Sequence, residues 1–123
     1  MNQGKYKIAQ QIKARGIFAS IDINAELTQS STSIEIAYEA QLTREWKIAI
    51  EFGASYFLQN MKVPNKHTKG IKILVQQFHG NEVDTTSVLI SIVTIKALMH
   101  ALKVDIYREP FIDTDKLIYG FPF

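Results

Sequence analysis

Residues 17–28 alternate without a break, with Ile17, Ala19, Ile21, Ile23, Ala25 and Leu27 on one side and Phe18, Ser20, Asp22, Asn24, Glu26 and Thr28 on the other. A period of two predicts a half-buried strand. Gln29, Ser30 and Ser31 read as a turn. Residues 33–40 then repeat the pattern, with Ile34, Ile36, Tyr38 and Ala40 opposite Glu35, Ala37 and Glu39. Two such runs around a short polar turn predict an antiparallel hairpin. Its carboxylate-bearing side is expected to face water.

The period then changes. Across residues 43–60, Trp46, Ile50, Gly53 and Phe57 fall on one helical stripe, widened by Ala49 and Ala54. Thr43 is the expected N-cap, and Pro64 forbids a much longer helix. Glycine inside a helix costs about 1 kcal/mol against alanine, so Gly53 is expected to mark a close approach to the sheet. Residues 62–70 read as a polar loop, and Ile71, Ile73 and Val75 open a third strand ending near Phe78. After a turn at residues 79–81, Asp84 or Thr85 is the expected cap of a second helix over residues 86–103. That helix is nearly all apolar and rich in β-branched residues, so burial must override its weak helical propensity. Residues 104–107 complete the pattern as a fourth strand, which Pro110 ends.

The order strand, strand, helix, strand, helix, strand predicts one two-layer α+β domain, ββαβαβ, with both helices on one face of a small sheet. Successive reversals of direction bring residues 13–18, the turn at 41–44 and the loop at 79–86 to one end, the tip. The basic loop at 62–72 goes to the other. Lys13, Arg15 and Arg44 would then share the tip with two helix N-termini, whose free N–H groups favour anions.

Composition narrows the classes. The chain has 123 residues, 46% hydrophobic and 21% charged, and no cysteine, which excludes disulfides, thiolate metal sites and a cysteine nucleophile. The net charge of +2 is too small to announce nucleic-acid binding by itself. Its distribution is uneven: Lys5, Lys7, Lys13 and Arg15 precede any acid, whereas residues 16–43 hold Asp22, Glu26, Glu35 and Glu39 and no base. The N-terminal residues lack the apolar run of a signal peptide. Residues 88–102 are too short and too interrupted to span a bilayer. A cytoplasmic protein is the expectation.

Three ordered motifs resemble a known family. Arg15-Gly-Ile-Phe-Ala-Ser-Ile-Asp-Ile23 is similar to the Arg-Gly-Gln-Tyr-Gly-His-Val-Val-Ile run that opens domain IV of bacterial elongation factor G. Glu82-Val-Asp-Thr-Thr86 resembles that domain's Asp-Val-Asp-Ser-Ser, and Glu109-Pro-Phe-Ile112 its closing Glu-Pro-Ile-Met. The resemblance runs over about residues 13–112, leaving 113–123 as an apolar extension of a single domain. It implies the ribosomal-protein-S5-domain-2-like fold with a left-handed βαβ crossover, and a tip whose loops contact ribosomal RNA. Arg15 and Gly16 match the first tip loop, and Glu82, Val83 and Asp84 the second. The chain departs from the family in having Gln11-Ile-Lys-Ala14 for a glycine-rich approach. Asn81 also stands where the family has histidine, with His79 two places earlier. No Gly-x-x-x-x-Gly-Lys-Ser/Thr loop for GTP occurs in it.

No catalytic constellation emerges. His67, His79 and His100 are dispersed, with no metal-binding pair spacing. A non-enzyme without cofactor is the expectation. The first function expected is contact with ribosomal or other structured RNA, through Lys13, Arg15, Gly16, Arg44, His79 and Asn81. The alternative is a protein-interaction or homodimerising module. Its patch would comprise Leu74 and Phe78, off the main core face, together with Phe121 and Phe123 of an apolar tail that must dock on this chain or on a copy of it.

Overall fold

The computed structural model describes residues 1–29, 33–62 and 70–122. The turn at Ser30 and Ser31, Pro64, most of the basic loop with His67, and Phe123 lie outside the described residues.

The α+β two-layer arrangement is observed. The strands β1 (Asn2–Ile12), β2 (Arg15–Thr28), β3 (Ile34–Tyr38) and β4 (Gly70–His79) form one sheet in the order β1-β2-β4-β3. The helices α1 (Arg44–Asn60) and α2 (Ser87–Leu102) cover one face. A separate hairpin of β5 (Phe111–Asp113) and β6 (Ile118–Gly120) follows.

The alternation of β2 is realised as expected: Ile17, Ala19, Ile21, Ile23 and Ala25 are buried beneath the helices, and Phe18, Ser20, Asp22, Asn24 and Glu26 stay half-exposed on the open face. The expected β2–β3 hairpin does not form. β4 lies between them, antiparallel to β2 and parallel to β3. A strand, a helix and a strand in succession close as a parallel crossover unit, and α1 is long enough to make that return. The other partner of β2 is β1, paired from Asn2↔Ala25 to Ile12↔Arg15. Gly4, Tyr6 and Ile8 alternate with Lys5 and Lys7 in β1, a strand pattern that the lysines obscure. The sheet therefore begins well before residue 13.

Both helix starts are capped by threonine. Thr43 accepts from the Trp46 N–H at 3.2 Å, as expected. In α2 the cap is Thr86, which accepts from the Leu89 N–H at 3.1 Å, not Asp84 or Thr85. Burial does override propensity in α2, where Leu89, Ile90, Ile92, Val93 and Ile95 are fully buried. Gly53 marks a close approach to α2 rather than to the sheet, since a Cβ there would stand 2.7 Å from the Ser91 carbonyl oxygen.

Residues 104–107 do not join the sheet, because β1 already occupies the open side of β2. They strap the end of α1 instead. The Lys62 N–H donates to the Asp105 carbonyl at 2.8 Å, the Tyr107 N–H to the Asn60 carbonyl at 2.7 Å, and Ile106 is buried. The apolar tail docks on its own chain. Leu117 is buried, the Tyr119 hydroxyl meets Thr86 Oγ1 at 2.5 Å, and the Phe121 ring lies 4.8 Å from Tyr56 and 5.8 Å from Phe52. No helix among the described residues is long and apolar enough to cross a membrane.

Candidate functional site

One end of the sheet gathers the first hairpin turn and the loop at 80–86. Ile12 and Arg15 pair across a two-residue turn of Lys13 and Ala14, and Lys13 takes a φ of 57°. Positive φ at the first central residue and not at the second is the type II′ pattern, which favours glycine there. Lysine holds it despite the crowding of its Cβ.

The second loop is fastened to β2. The Phe18 N–H donates to the Asp84 carbonyl at 3.2 Å, and Thr85 Oγ1 donates to the Phe18 carbonyl at 2.5 Å while accepting from the Asn81 N–H at 2.8 Å. The Asn81 side-chain oxygen accepts from the N–H groups of Val83 and Asp84, at 3.0 and 2.7 Å. Thr85 is thus the buried rivet of this loop. A hydroxyl buried with both its capacities used costs little to hide, and replacing it would orphan its partners.

Beside the 80–86 loop, on the open face, lies a hollow, and next to it the Asp84 carboxylate packs on Gly16. A Cβ on Gly16 would lie 3.1 Å from Asp84 Oδ2, so any side chain there would press on that carboxylate. The hollow has a volume of about 330 Å³ and is lined by residues of β1, by Ile17 and Phe18, and by Asn81 and Asp84. The Asp84 carboxylate makes no hydrogen bond or ion pair with a described residue. Lys7 and His79 are exposed and share a cross-strand row through Ser20, on the same face as Phe18.

The other expected site residues are divided between faces. Lys13 and Arg15 line a depression with Asp115, Lys116 and Leu117 of the tail hairpin turn. Arg44 is at the same end, where Gly80 approaches the Trp46 ring, but its side chain lines a groove on the helical face. Leu74 is half-exposed on the open face. Phe78 is not surface: it is 8% exposed and its ring lies 5.1 Å from that of Trp46. The cause is a bulge in β4. Ile23 pairs with Val75 and Asp22 with Gln77, so Gln76 is an extra residue that inverts the alternation and turns Phe78 into the core.

No family model matches the chain, and no curated protein matches it. Among solved structures it is similar to the protein ttk003000868 from Thermus thermophilus, with a TM-score of 0.64 and 20% identity over 84% of this chain. The chain spans 15% of that protein's length. At this identity the likeness shows the fold alone.

Sequence reasoning missed a groove of about 710 Å³ between α1 and α2. Its walls are Ile48, Phe52, Val88 and Phe121, and Ala49 and Ser91 are at its floor. Ser91 Oγ donates to the Ala49 carbonyl at 2.7 Å, drawing the two helices together. Ile48 and Phe52 are both 54% exposed. Their spacing of four, off the main stripe of α1, was the available signal.

Proposed function

We propose that this protein contacts structured RNA, ribosomal RNA foremost, through the end of the sheet formed by the 12–16 turn and the 80–86 loop. The observation that carries this reading is that the 12–16 turn and the 80–86 loop meet at one end, where the Phe18–Asp84 and Thr85–Phe18 hydrogen bonds fasten the loop to β2. They are the same two segments in which the sequence resembles the tip loops of elongation factor G domain IV. The fold likeness to one part of a much longer Thermus chain is compatible with that resemblance. Lys7, Lys13 and Arg15 supply phosphate contacts, and Phe18 supplies a stacking face.

The test is sedimentation with ribosomes and their subunits in low and moderate salt. Two or three phosphate contacts give a loss of affinity of roughly ten- to fortyfold between 50 and 200 mM salt. Arg15→Glu, at an exposed turn, is expected to reduce co-sedimentation at least as much. A protein that stays in the supernatant under all conditions overturns the reading.

A second reading, a protein-interaction module, is favoured by the apolar groove between α1 and α2. Deleting the tail would not test it cleanly, since Leu117 is part of the core. Phe52→Asp, at a residue 54% exposed, is expected to abolish any self-association seen by analytical ultracentrifugation, with folding checked by its urea midpoint. A wild-type chain that is monomeric at high concentration excludes a homodimer through this groove.

A further inference from the structure

We infer that the hollow between β1, Phe18 and the 80–86 loop is a site for an unpaired guanine base, a more specific claim that rests on the RNA reading above. Its three relevant walls differ in chemistry. Phe18 presents a half-exposed ring on an open sheet face, the position from which sheet-based RNA readers stack unpaired bases. Asp84 offers a carboxylate with no described partner. Asn81 has its side-chain oxygen occupied by two backbone N–H groups, so only its amide nitrogen, a donor, is left for a ligand.

A carboxylate accepts and does not donate. Of the four RNA bases, guanine alone places two donors side by side on its Watson–Crick edge, the N1–H and the N2 amine, which match the two carboxylate oxygens. Its neighbouring O6 is an acceptor, which suits the Asn81 amide. Adenine, cytosine and uracil each bring one donor to that edge, next to acceptors that the carboxylate repels. Gly16 lets the Asp84 carboxylate rest against β2 at the edge of the hollow, since a side chain there would press on it. The loop bearing Asp84 and Asn81 is already fixed to β2, so little ordering remains to be done on binding. Lys7 and His79, one cross-strand row along the same face, flank the path of the phosphates.

The experiment is fluorescence anisotropy of the full chain with 5′-labelled hexauridylate carrying guanosine, inosine, adenosine or uridine at the third position. Guanosine is expected to bind about tenfold tighter than adenosine or uridine, in the range of a bidentate pair. Inosine, which lacks the N2 amine, is expected to lose most of that gain. This arm uses the wild-type protein, so it does not depend on a variant folding. Asp84→Asn is expected to erase the base preference while leaving salt-sensitive binding that Arg15→Glu removes. Equal binding of all four RNAs, inosine as good as guanosine, or a preference unchanged in Asp84→Asn overturns the guanine site and leaves the RNA reading standing. No binding of any RNA overturns both.

Discussion

At the scale of the residue, Tyr38 at the end of β3 shows how packing alters chemistry. Its ring lies beneath the Lys47 ammonium, 5.0 Å from the centroid. Burial first, and then the charge of Glu51, push its pKa up to about 12. The native state therefore keeps its phenol proton at pH values where the unfolded chain loses it near 10. The unfolded state binds fewer protons above about pH 10, so stability is complete below that pH and falls as pH rises toward about 12. Tyr38→Phe is expected to flatten this alkaline decline in urea-denaturation midpoints measured from about pH 8 to 11. An unchanged slope would mean that Tyr38 titrates alike in both states. Residue-level chemistry of this kind was only partly legible beforehand. Thr43 could be read as a cap because its partner is three residues away. Thr85 could not be read as a rivet, because its partner Phe18 is distant in sequence.

At the scale of the element, the two helices are held at short range by small side chains. Gly53 faces the Ser91 carbonyl, and Ser91 Oγ reaches the Ala49 carbonyl. Gly53→Ala gains about 1 kcal/mol of helical propensity. It also forces a methyl group against a backbone oxygen, and overpacking of that kind costs about 1–3 kcal/mol. The expected net result is destabilisation of about 1 kcal/mol, read as a lower urea midpoint with an unchanged denaturant slope. A stabilised variant would show that the helices separate easily. The elements themselves were largely legible: β2, α1 and β4 follow from periodicity, and α2 from the length of its apolar run. Alternation reveals which side of a strand is buried but not which strand lies beside it, so β3 was assigned to the wrong neighbour. The bulge at Gln76 shows in the sequence only as two consecutive polar residues, Gln76 and Gln77, which strict alternation does not interpret, so the burial of Phe78 was missed.

At the scale of the whole molecule, uneven charge along the chain becomes balance across the sheet. The basic N-terminal segment is β1 and the acidic one after it includes β2, and Lys5 meets Asp22 at 3.9 Å across that pair. Lys72 of β4 meets Glu35 of β3 at the same distance. Such exposed pairs contribute little stability, but they neutralise Lys5 and Lys72 on the sheet. RNA affinity would then rest on a few cations near the tip, and its salt dependence should be that of about two or three contacts rather than many. A steeper dependence would point to a footprint larger than this end of the sheet. The sequence by itself determined the α+β layering, the open and covered faces of β2, and the end of the domain at which residues 13–18 and 79–86 meet. Those follow from side-chain period and chain direction, which are local properties. Only the tertiary structure decided the strand order, the docking of the tail across the helices, and the joining of Phe18, Asn81 and Asp84 around one hollow. Each depends on which distant segments pack together, and that is fixed by the fit of whole surfaces rather than by any local pattern.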